Sequence, residues 1–267
     1  MRFVSLNAWG GACWPALSDW LPSVGADILC LQEMIRAAEP SPGWLVYRDP
    51  YRVLDQRADF FGDVSNLLPT HAGHFAAAVQ GPLEDEAGRV YRSDHGVGLW
   101  LREDLTLDAL EARFIHGAHR PDGWGAEPVP RVMQVARVMV DGRPLIFGHL
   151  HGLRDPEGKH DTPARTAQAE AIAVAIEQLR NPGDPVILAG DFNLLPESRT
   201  FARLAALGLT ELVTTRGHTD TRTSFYKKPQ RFADYLLVSP DVQVRAFDMP
   251  ATPEVSDHRA LVLDFEI

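Results

Sequence analysis

The sequence predicts an α/β fold in which β-sheets pack face to face and helices lie outside them. Short apolar runs typical of buried strands outnumber segments with helical spacing, and the helical segments are interspersed among the strands. No internal repeat, low-complexity tract or Ser/Gly-rich linker interrupts the chain, which favours a single domain over residues 1–267. The composition, 45% hydrophobic and 23% charged, is typical of a globular protein with a sizeable core.

The predicted strands share β-branched or large apolar residues, and each ends at polar residues, glycine or proline. In chain order they are Arg2–Leu6, Asp27–Leu31, Gly96–Leu101, Val132–Val140, Leu145–His149, Pro185–Ala189, Asp234–Val238 and Ala260–Phe265.

The clearest predicted helix is Pro163–Leu179. Thr162 is a suitable N-cap residue, and proline is favoured at the first helical position. Shorter helices are predicted at Val53–Leu68 and Glu197–Leu207. The long helix carries an apolar stripe at helical spacing, formed by Ala169, Ile172, Ala173 and Ile176.

The stretch rich in proline and glycine from Gly117 to Pro130 is the longest predicted loop. Long loops inside compact chains often carry binding residues, so we expect this one to belong to a substrate site. Two cysteines, Cys13 and Cys30, provide no disulfide framework, and Cys30 lies in an apolar run that predicts a buried thiol. The first residues read as a strand and not as a secretion signal, which predicts a cytoplasmic protein.

The formal net charge is −10. Such a balance argues against strong non-specific binding to nucleic acid, which depends on Lys and Arg side chains that neutralise phosphates. It does not exclude a nuclease, because bound divalent cations and a local basic patch act where the average charge does not. No apolar run approaches the ~20 residues that a membrane-spanning helix needs.

The strongest motif is a buried strand that runs directly into Gly190-Asp191-Phe192-Asn193. Enzymes of the α/β class place reacting groups at strand ends, because the rigid strand fixes the side chains at the sheet edge. Along an extended segment Asp191 and Asn193 would point to the same side, since they are two positions apart. A carboxylate beside an amide can hold an activated water and bind a cation or a phosphate oxygen. The alternative is an ordinary turn, in which these residue types are common.

Two earlier strands are also followed by polar side chains. Glu33 comes after the apolar run that ends at Leu31, and it is an expected Mg²⁺ ligand because Mg²⁺ prefers one or two carboxylates with waters and substrate oxygens. Asn7 stands at the end of the first strand in the same way. Each could instead be an ordinary strand terminus, turn or cap.

His149 and His151 lie two positions apart on a predicted strand and therefore face the same way. Zinc sites use this spacing, but zinc is not expected, because no third His or Cys lies nearby and the other candidates are oxygen donors. We expect one histidine to meet substrate phosphate and the other to be structural. His149 could also be an extra ligand or a spacer.

The last motif, Ser256-Asp257-His258, precedes the final predicted strand. His258 is suited to general-base catalysis or to stabilising transition-state charge near neutral pH. Such a ring needs a partner that orients it, and Asp234, which opens its own strand, is the natural candidate. The sequence contains no Gly-x-Ser-x-Gly elbow, Walker loop or Rossmann fingerprint, so it does not indicate a serine hydrolase or a nucleotide-binding loop.

In their order and spacing these motifs resemble the endonuclease/exonuclease/phosphatase superfamily, the DNase I-like fold, over nearly the whole chain. Within it, a bacterial branch has a similar Gly-Lys-x-Asp-Thr-Pro segment, here Gly158–Pro163. The resemblance implies a four-layer α/β sandwich of two mixed β-sheets flanked by helices. The motifs that carry it are Leu6-Asn7, Leu31-Gln32-Glu33, His151-Gly152, Gly190-Asp191-Phe192-Asn193, Asp234-Tyr235 and Ser256-Asp257-His258.

The resemblance also implies a divalent cation, Mg²⁺ or Mn²⁺, held by Asn7, Glu33 and Asp257. The cation and the histidines would neutralise the charge that develops on phosphate oxygens during in-line attack.

The remaining motif residues would carry the chemistry by the same resemblance. Asp191 would orient or deprotonate the attacking water, and Asn193 would position the water or the phosphate. His258, oriented by Asp234, would act as base or stabilise charge, and His151 would donate to a phosphate oxygen. Asp191 and His258 stay alternatives for the general base.

Substrate residues are expected in the basic and aromatic segment from Arg216 to Arg231. Such a patch can clamp phosphates and stack bases, although it could equally be a solvated loop. Arg131 and Arg120 could add phosphate contacts. The residues predicted to bind substrate are Arg131, Arg222, Tyr226, Lys227 and Lys228.

Three functions are therefore compared. The first is a metal-dependent phosphodiesterase acting on nucleic acid, with endonuclease or exonuclease action left open. The second is a phosphatase or phosphodiesterase of a small molecule or lipid headgroup, which the acidic balance favours. The third, a non-catalytic scaffold, is disfavoured because all the expected catalytic residues are present. No feature indicates a protein partner.

Overall fold

The computed structural model describes residues 1–38, 40–49 and 52–267. These residues form two β-sheets and four α-helices. The strands are β1 (Arg2–Asn7), β2 (Ile28–Ala37), β3 (Trp44–Asp49), β4 (Arg52–Arg57), β5 (His71–Glu84), β6 (Val90–Arg102), β7 (Thr106–His116), β8 (Arg131–Val140), β9 (Arg143–His151), β10 (Val186–Asp191), β11 (Thr210–Glu211), β12 (Asp234–Val238), β13 (Gln243–Asp248) and β14 (Leu261–Glu266). The helices are α1 (Trp14–Ser23), α2 (Phe60–Leu67), α3 (Pro163–Leu179) and α4 (Arg199–Ala205).

Each sheet contains one parallel pair of strands among antiparallel neighbours. The eight-stranded sheet has the order β13-β14-β1-β2-β6-β5-β3-β4, with β1 and β2 parallel. The six-stranded sheet has the order β11-β12-β10-β9-β8-β7, with β9 and β10 parallel. Asn7 is thereby paired with Gln32 in one sheet, and His151 with Asp191 in the other.

The central strands are apolar on both faces because each face packs against a different layer. In the first sheet, Phe3 and Ile28 belong to the cluster shared with the second sheet, whereas Val4 and Leu29 pack with the helix residue Leu17. The predicted arrangement of two mixed sheets with helices outside is therefore confirmed. Cys30 is fully buried, as its apolar run predicts.

Helix α3 begins and ends where the sequence indicates. The Thr162 side chain accepts a hydrogen bond from the backbone N–H of Arg165, and all four residues of the apolar stripe are buried. Helix α4 lies within the predicted segment Glu197–Leu207. Both helical predictions are confirmed.

The predicted helix Val53–Leu68 is wrong in its first half. Arg52–Arg57 is strand β4, which pairs with β3, and helix α2 begins only after Asp59, whose side chain caps Gly62. The apolar residues of this segment satisfied a helical pattern, but pairing with β3 decided its conformation. Strands β3, β5, β7 and β13 were not predicted, because exposed residues and small side chains hide their alternation.

The segment from Gly117 to Pro130 forms no helix or strand, as predicted, and it is fastened to β5. The backbone N–H of Arg120 donates to Ala78, that of Gln80 to Arg120 and that of Gly123 to Gln80, over 2.8–3.2 Å. Among the described residues, no helix combines the length and the apolar character needed to cross a membrane.

Candidate active site

The motif residues converge on one groove of about 740 Å³, where the edges of the two sheets meet. Asn7 and Asp234 lie behind its wall, each hydrogen-bonded to residues that face it. The predicted residues that line the groove are Glu33, His151, Asp191, Asn193, Asp257 and His258 from the motifs, with Arg131, Arg222, Tyr226, Lys227 and Lys228 from the substrate set.

Glu33 reaches the groove from a β-bulge and not from a strand end. Strand β2 continues to Ala37, and its register with β6 shifts between Gln32 and Met34. Glu33 adopts the left-handed conformation there, with φ 56°. A bulge re-aims a side chain that regular pairing would point elsewhere. The prediction that the strand ends before Glu33 was therefore wrong, although Glu33 itself lies in the groove.

Asn7 ties the two sheets together. Its Nδ2 donates to Glu33 Oε1 and to Asp191 Oδ2, both over 3.1 Å. Its Oδ1 accepts from the backbone N–H of Trp9, also over 3.1 Å. The amide thus holds a carboxylate of each sheet in a fixed position.

Asp191 and Asn193 form a turn and a groove wall at once. The backbone N–H of Asn193 donates to Asp191 Oδ1 over 2.8 Å, and Asn193 has φ 55°. The segment is therefore not extended as predicted, although both residues line the same groove. The turn lets Asp191 hold its own loop with Oδ1 while Oδ2 accepts from Asn7.

His258 and Asp234 form a buried carboxylate–imidazole pair. His258 Nδ1 lies 2.9 Å from both carboxylate oxygens of Asp234, and Thr221 Oγ1 donates to Asp234 Oδ2 over 2.8 Å. Burial lowers the pKa of the imidazole, but the negative charges of Asp234, Asp257 and Asp191 together raise the pKa of His258 above its ordinary value. His258 Nε2 lies 3.7 Å from Asp191 Oδ2.

Asp191 is a buried carboxyl that its cationic neighbours keep ionised. Burial opposes its charge, but His258, His151 and Arg222 hold the pKa of Asp191 well below its usual range.

Asp257 differs from Asp191. One of its oxygens accepts from Arg222 Nη1 over 2.9 Å, whereas Oδ1 is buried with no hydrogen-bond partner among the described residues. Burial, together with the negative charge of Glu33, raises the pKa of Asp257. Buried carboxylates left in this state would be stabilised by a cation.

The oxygen donors of Asn7, Glu33 and Asp257 therefore fit a hard divalent cation such as Mg²⁺. A second group of possible ligands is Asp191, Asp234 and His258, whose atoms lie within 4.8 Å of one another in the described part of the chain. There, however, Asp234 already holds His258 Nδ1. A carboxylate that is hydrogen-bonded to an imidazole is better suited to transferring or stabilising a proton than to binding Mg²⁺.

The two histidines of β9 occupy different environments. His149 is fully buried, and its Nε2 lies 2.8 Å from Gln134 Oε1. His151 ends the strand at the groove, where its Nε2 lies 3.7 Å from Asp191 Oδ2 and 4.0 Å from Glu33 Oε1. They share a face of the strand, but only the strand end reaches the groove. Burial, with the nearby charge of Arg131, lowers the pKa of His151 to about 4.

The basic residues divide into buried and exposed groups. Arg222 is buried between Asp257, His258 and the ring of Tyr226, whose centroid lies 4.3 Å away. Lys227 and Lys228 are exposed. Their exposure leaves both lysines accessible from the groove mouth.

Arg131 and Arg120 have different places. Arg131 lines the groove, and its Nε is buried without a hydrogen-bond partner in the described part of the chain. Arg120 does not line the groove; its guanidinium donates to the carbonyls of Trp124 and Ala126. A phosphate contact from Arg120 is therefore not supported.

Lys159 lines the groove but was outside the set of residues predicted from the sequence. Its ammonium donates to the carbonyl of Phe232 and lies 5.9 Å from the centroid of the Tyr226 ring. Burial lowers the pKa of Lys159 to about 8. The Gly-Lys-x-Asp-Thr-Pro segment drew attention to it, but the spacing gave no reason to place its side chain beside Asp191.

Comparison with curated proteins gives one relative, described as "Putative neutral sphingomyelinase" from Caenorhabditis elegans. It is 28% identical over 214 residues, which are 73% of this chain and 42% of that protein. The chain therefore spans less than half the length of that relative.

Solved structures share the fold over the entire chain. A mannosyl-6-phosphatase from Bacteroides thetaiotaomicron has a TM-score of 0.69 at 16% identity, with both chains fully covered. The human Nocturnin catalytic domain with bound sulfate has a TM-score of 0.64 at 19% identity, covering 100% of this chain and 93% of that one. TDP2 from D. rerio with a single-stranded DNA product has a TM-score of 0.65 at 16% identity, covering 100% and 99%.

The predicted DNase I-like fold is confirmed by these structures. A family model described as "Endonuclease/Exonuclease/phosphatase family" matches residues 4–258, nearly the whole chain. Proteins of this family are phosphoester hydrolases and generally depend on a divalent metal ion. The chain belongs to the endonuclease/exonuclease/phosphatase family.

Proposed function

We propose that this phosphoester hydrolase cleaves phosphodiester bonds in nucleic acid by in-line attack of an activated water, with Mg²⁺ or Mn²⁺ as its cofactor. One observation carries the proposal. Six motifs supply a cluster of carboxylates and a carboxylate–imidazole pair to a single groove, and Arg222 adds a basic side chain there. Water activation, charge neutralisation and phosphate binding each have a candidate group there.

The attacking water would be held by Asp191 and His258. Asp191 Oδ2 and His258 Nε2 lie 3.7 Å apart, close enough for one water molecule to contact both, and Arg222 Nη1 also contacts His258 Nε2. The proton of the water passes to one of the two, and they stay alternatives for the general base. Asp234 positions the imidazole, Asn193 positions the water or the phosphate, and His151 donates to a phosphate oxygen.

Glu33 and Asp257 would hold the cation together with Asn7, whose carboxamide oxygen keeps a second lone pair beside its bond from Trp9. When bound, the cation supplies positive charge to a phosphate oxygen and favours ionisation of water. The orphaned Oδ1 of Asp257 and the all-oxygen donor set support this assignment.

Nucleic acid is the proposed substrate because the groove continues into the exposed Lys227, Lys228 and Phe225 beside Tyr226. Exposed cations with aromatic rings suit a phosphate chain with stacking bases. The relative whose name describes a sphingomyelinase favours the alternative, a lipid headgroup or small phosphodiester. The similarity to TDP2, whose structure contains a single-stranded DNA product, supports nucleic acid. The cytoplasmic location stays a prediction from the sequence.

The test is hydrolysis of a single-stranded oligonucleotide and of bis(p-nitrophenyl) phosphate in Mg²⁺, Mn²⁺ and excess chelator. We expect turnover that chelator abolishes and Mg²⁺ restores. The Asp191→Asn and His258→Gln variants should each lose about 100-fold or more in kcat, since each removes a group used in proton transfer. Glu127→Gln, which removes an exposed carboxylate from the groove rim, should keep its activity.

Two outcomes would overturn parts of this proposal. Activity that persists in excess chelator would reject the cation. A salt titration decides the substrate class, because a protein with several phosphate contacts loses affinity steeply with added salt. A flat response on the oligonucleotide would reject nucleic acid and leave a small phosphodiester.

A further inference from the structure

The groove extends beyond the catalytic residues towards the β3–β4 hairpin. On that side its wall is formed by the rings of Tyr47, His95 and Trp124, with Gln56 and Val79 beside them. None of these side chains has a place in the reaction described above. The whole groove, at about 740 Å³, has room for much more than a phosphate group.

Trp124 is held in position by several independent contacts. A Cβ on Gly81 would lie only 2.5 Å from the indole, so the absence of a side chain there is what admits the ring. Arg120 donates to the carbonyl of Trp124, and the backbone bonds of Arg120 to β5 fix the loop. The indole packs edge to face with Tyr47, at 5.1 Å between centroids, and with His95, at 4.4 Å.

The same wall contains polar atoms without partners. His95 Nε2 and Gln56 Oε1 are buried, and neither has a hydrogen-bond partner within the described ranges. Burial lowers the pKa of His95 to about 3, so its ring is neutral at physiological pH. A neutral imidazole and an amide oxygen can pair with donors and acceptors on a ligand edge.

These features distinguish between classes of ligand. An aliphatic chain would cover the rings but leave both buried polar atoms unpaired, which is costly. A flat heterocycle with polar groups on its edge would stack on an aromatic face and also offer hydrogen bonds. His95 and Trp124 line the same groove as Glu33 and Asp191, so a ligand on this wall would share the groove with the reacting phosphate.

We propose that Tyr47, His95, Trp124 and Gln56 form a subsite for one nucleobase of the substrate, next to the scissile phosphate. This proposal takes only the substrate class, nucleic acid, from the proposed function. It can be tested separately, because binding of a base can be measured without hydrolysis. It is also separate from the stacking expected of Phe225 and Tyr226, which lie with the exposed lysines.

The test compares two labelled single-stranded 8-mers, one with bases and one in which every nucleoside is an abasic tetrahydrofuran spacer. Fluorescence anisotropy in chelator measures binding, and turnover in Mg²⁺ measures hydrolysis. Trp124→Ala should weaken binding of the base-bearing 8-mer about tenfold, as expected for the loss of one stacked base. Its binding of the abasic 8-mer should change less than twofold.

A second variant and a control sharpen the result. His95→Phe keeps a ring in the same space and removes Nε2, so it should remain folded and should also reduce the preference for the base-bearing 8-mer. Trp44→Ala removes an exposed tryptophan from β3 that does not line the groove, and it should bind both 8-mers as the wild type does. Thermal unfolding of each variant confirms that the fold is kept.

An equal loss on both 8-mers in Trp124→Ala, or no loss, would overturn the base subsite. The wild type could instead bind phosphatidylcholine vesicles more tightly than either 8-mer and show no preference for bases. If Trp124→Ala abolished that vesicle binding, the occupant of the subsite would be a lipid and not a nucleobase. If Trp124→Ala loses affinity only for the base-bearing 8-mer, yet the wild type hydrolyses neither 8-mer, the subsite stands and the proposed function fails. If Trp124→Ala hydrolyses and binds both 8-mers as the wild type does, the proposed function stands and the subsite fails.

Discussion

Backbone strain at single residues coincides with the groove. Among the described residues, four other than glycine have a positive φ: Trp9, Glu33, Asp141 and Asn193. All of them except Asp141 line the groove. Each such conformation costs about 1–3 kcal/mol and persists only where the surroundings hold it. At Glu33 and Asn193 the surroundings are the β2 bulge and the Asp191 turn, which aim polar groups at one place.

Lys159 provides a prediction at the same scale. Because burial lowers the pKa of this ammonium to about 8, it is charged below that pH and loses its charge as pH rises further. If the charge serves the substrate phosphate, kcat/KM should fall as pH rises through about 8. In Lys159→Arg the fall should move to higher pH, because a guanidinium stays charged.

The companion variant, Lys159→Met, should lower kcat/KM about tenfold at pH 7, by loss of a charged contact. Its remaining activity should have no fall near pH 8. The full profile from pH 6 to 10 checks both variants. If the wild type and both variants showed the same fall in kcat/KM near pH 8, a group other than Lys159 would be its cause.

At the scale of elements, the two parallel pairs explain why the motifs meet. Asn7 ends β1 beside the bulge of β2 that carries Glu33, and His151 and Asp191 end β9 and β10 side by side. Residues far apart in sequence therefore share one groove because their strands run in the same direction.

Gly190 lies against Leu150 of β9 with no room for a side chain. It has φ 143°, and a Cβ there would overlap the carbonyl oxygen of Leu150. Gly190→Ala should therefore lower the free energy of unfolding by about 2 kcal/mol or more, from strain and overlap together. Gly208→Ala is the matched control, since it has φ 80° but no atom within 4 Å, and should cost about 1 kcal/mol. Urea unfolding measures both, and equal losses would contradict the close approach as the cause.

At the scale of the whole molecule, the carboxylates that both sheets bring to the groove link cation binding to stability. A cation that binds only the folded protein, at 100 times its Kd, stabilises it by about 2.7 kcal/mol. Mg²⁺ should thus raise the melting temperature by several degrees. In Glu33→Gln, Mg²⁺ should raise the melting temperature much less. Without Mg²⁺ this variant should have a higher melting temperature than the wild type, because the negative charge of Glu33 disfavours the ionised form of Asp257.

Asp19→Asn, which removes an exposed carboxylate from α1, should retain the full Mg²⁺ effect. Differential scanning calorimetry with and without chelator makes the comparison. A full shift in Glu33→Gln would place the cation elsewhere.

The sequence indicated the elements whose residues are strongly apolar or well capped. Buried runs such as Val186–Asp191 and the capped helix α3 were predictable, because burial on both faces and capping leave local patterns. Strand β4 was not, because its conformation depends on pairing with β3. The left-handed conformation of Glu33 was also beyond prediction, since only the register against β6 creates the bulge.

By itself, the sequence determined the kinds of groups that end these strands, and so the family and the reaction class. Carboxylates, amides and imidazoles in a fixed order carry that information because their chemistry is a property of single residues. Only the tertiary structure decided that His149 bonds to Gln134, that Arg222 pairs with Asp257, and that Lys159, Tyr47, His95 and Trp124 join the wall. Those placements depend on packing between distant elements, which local patterns do not record.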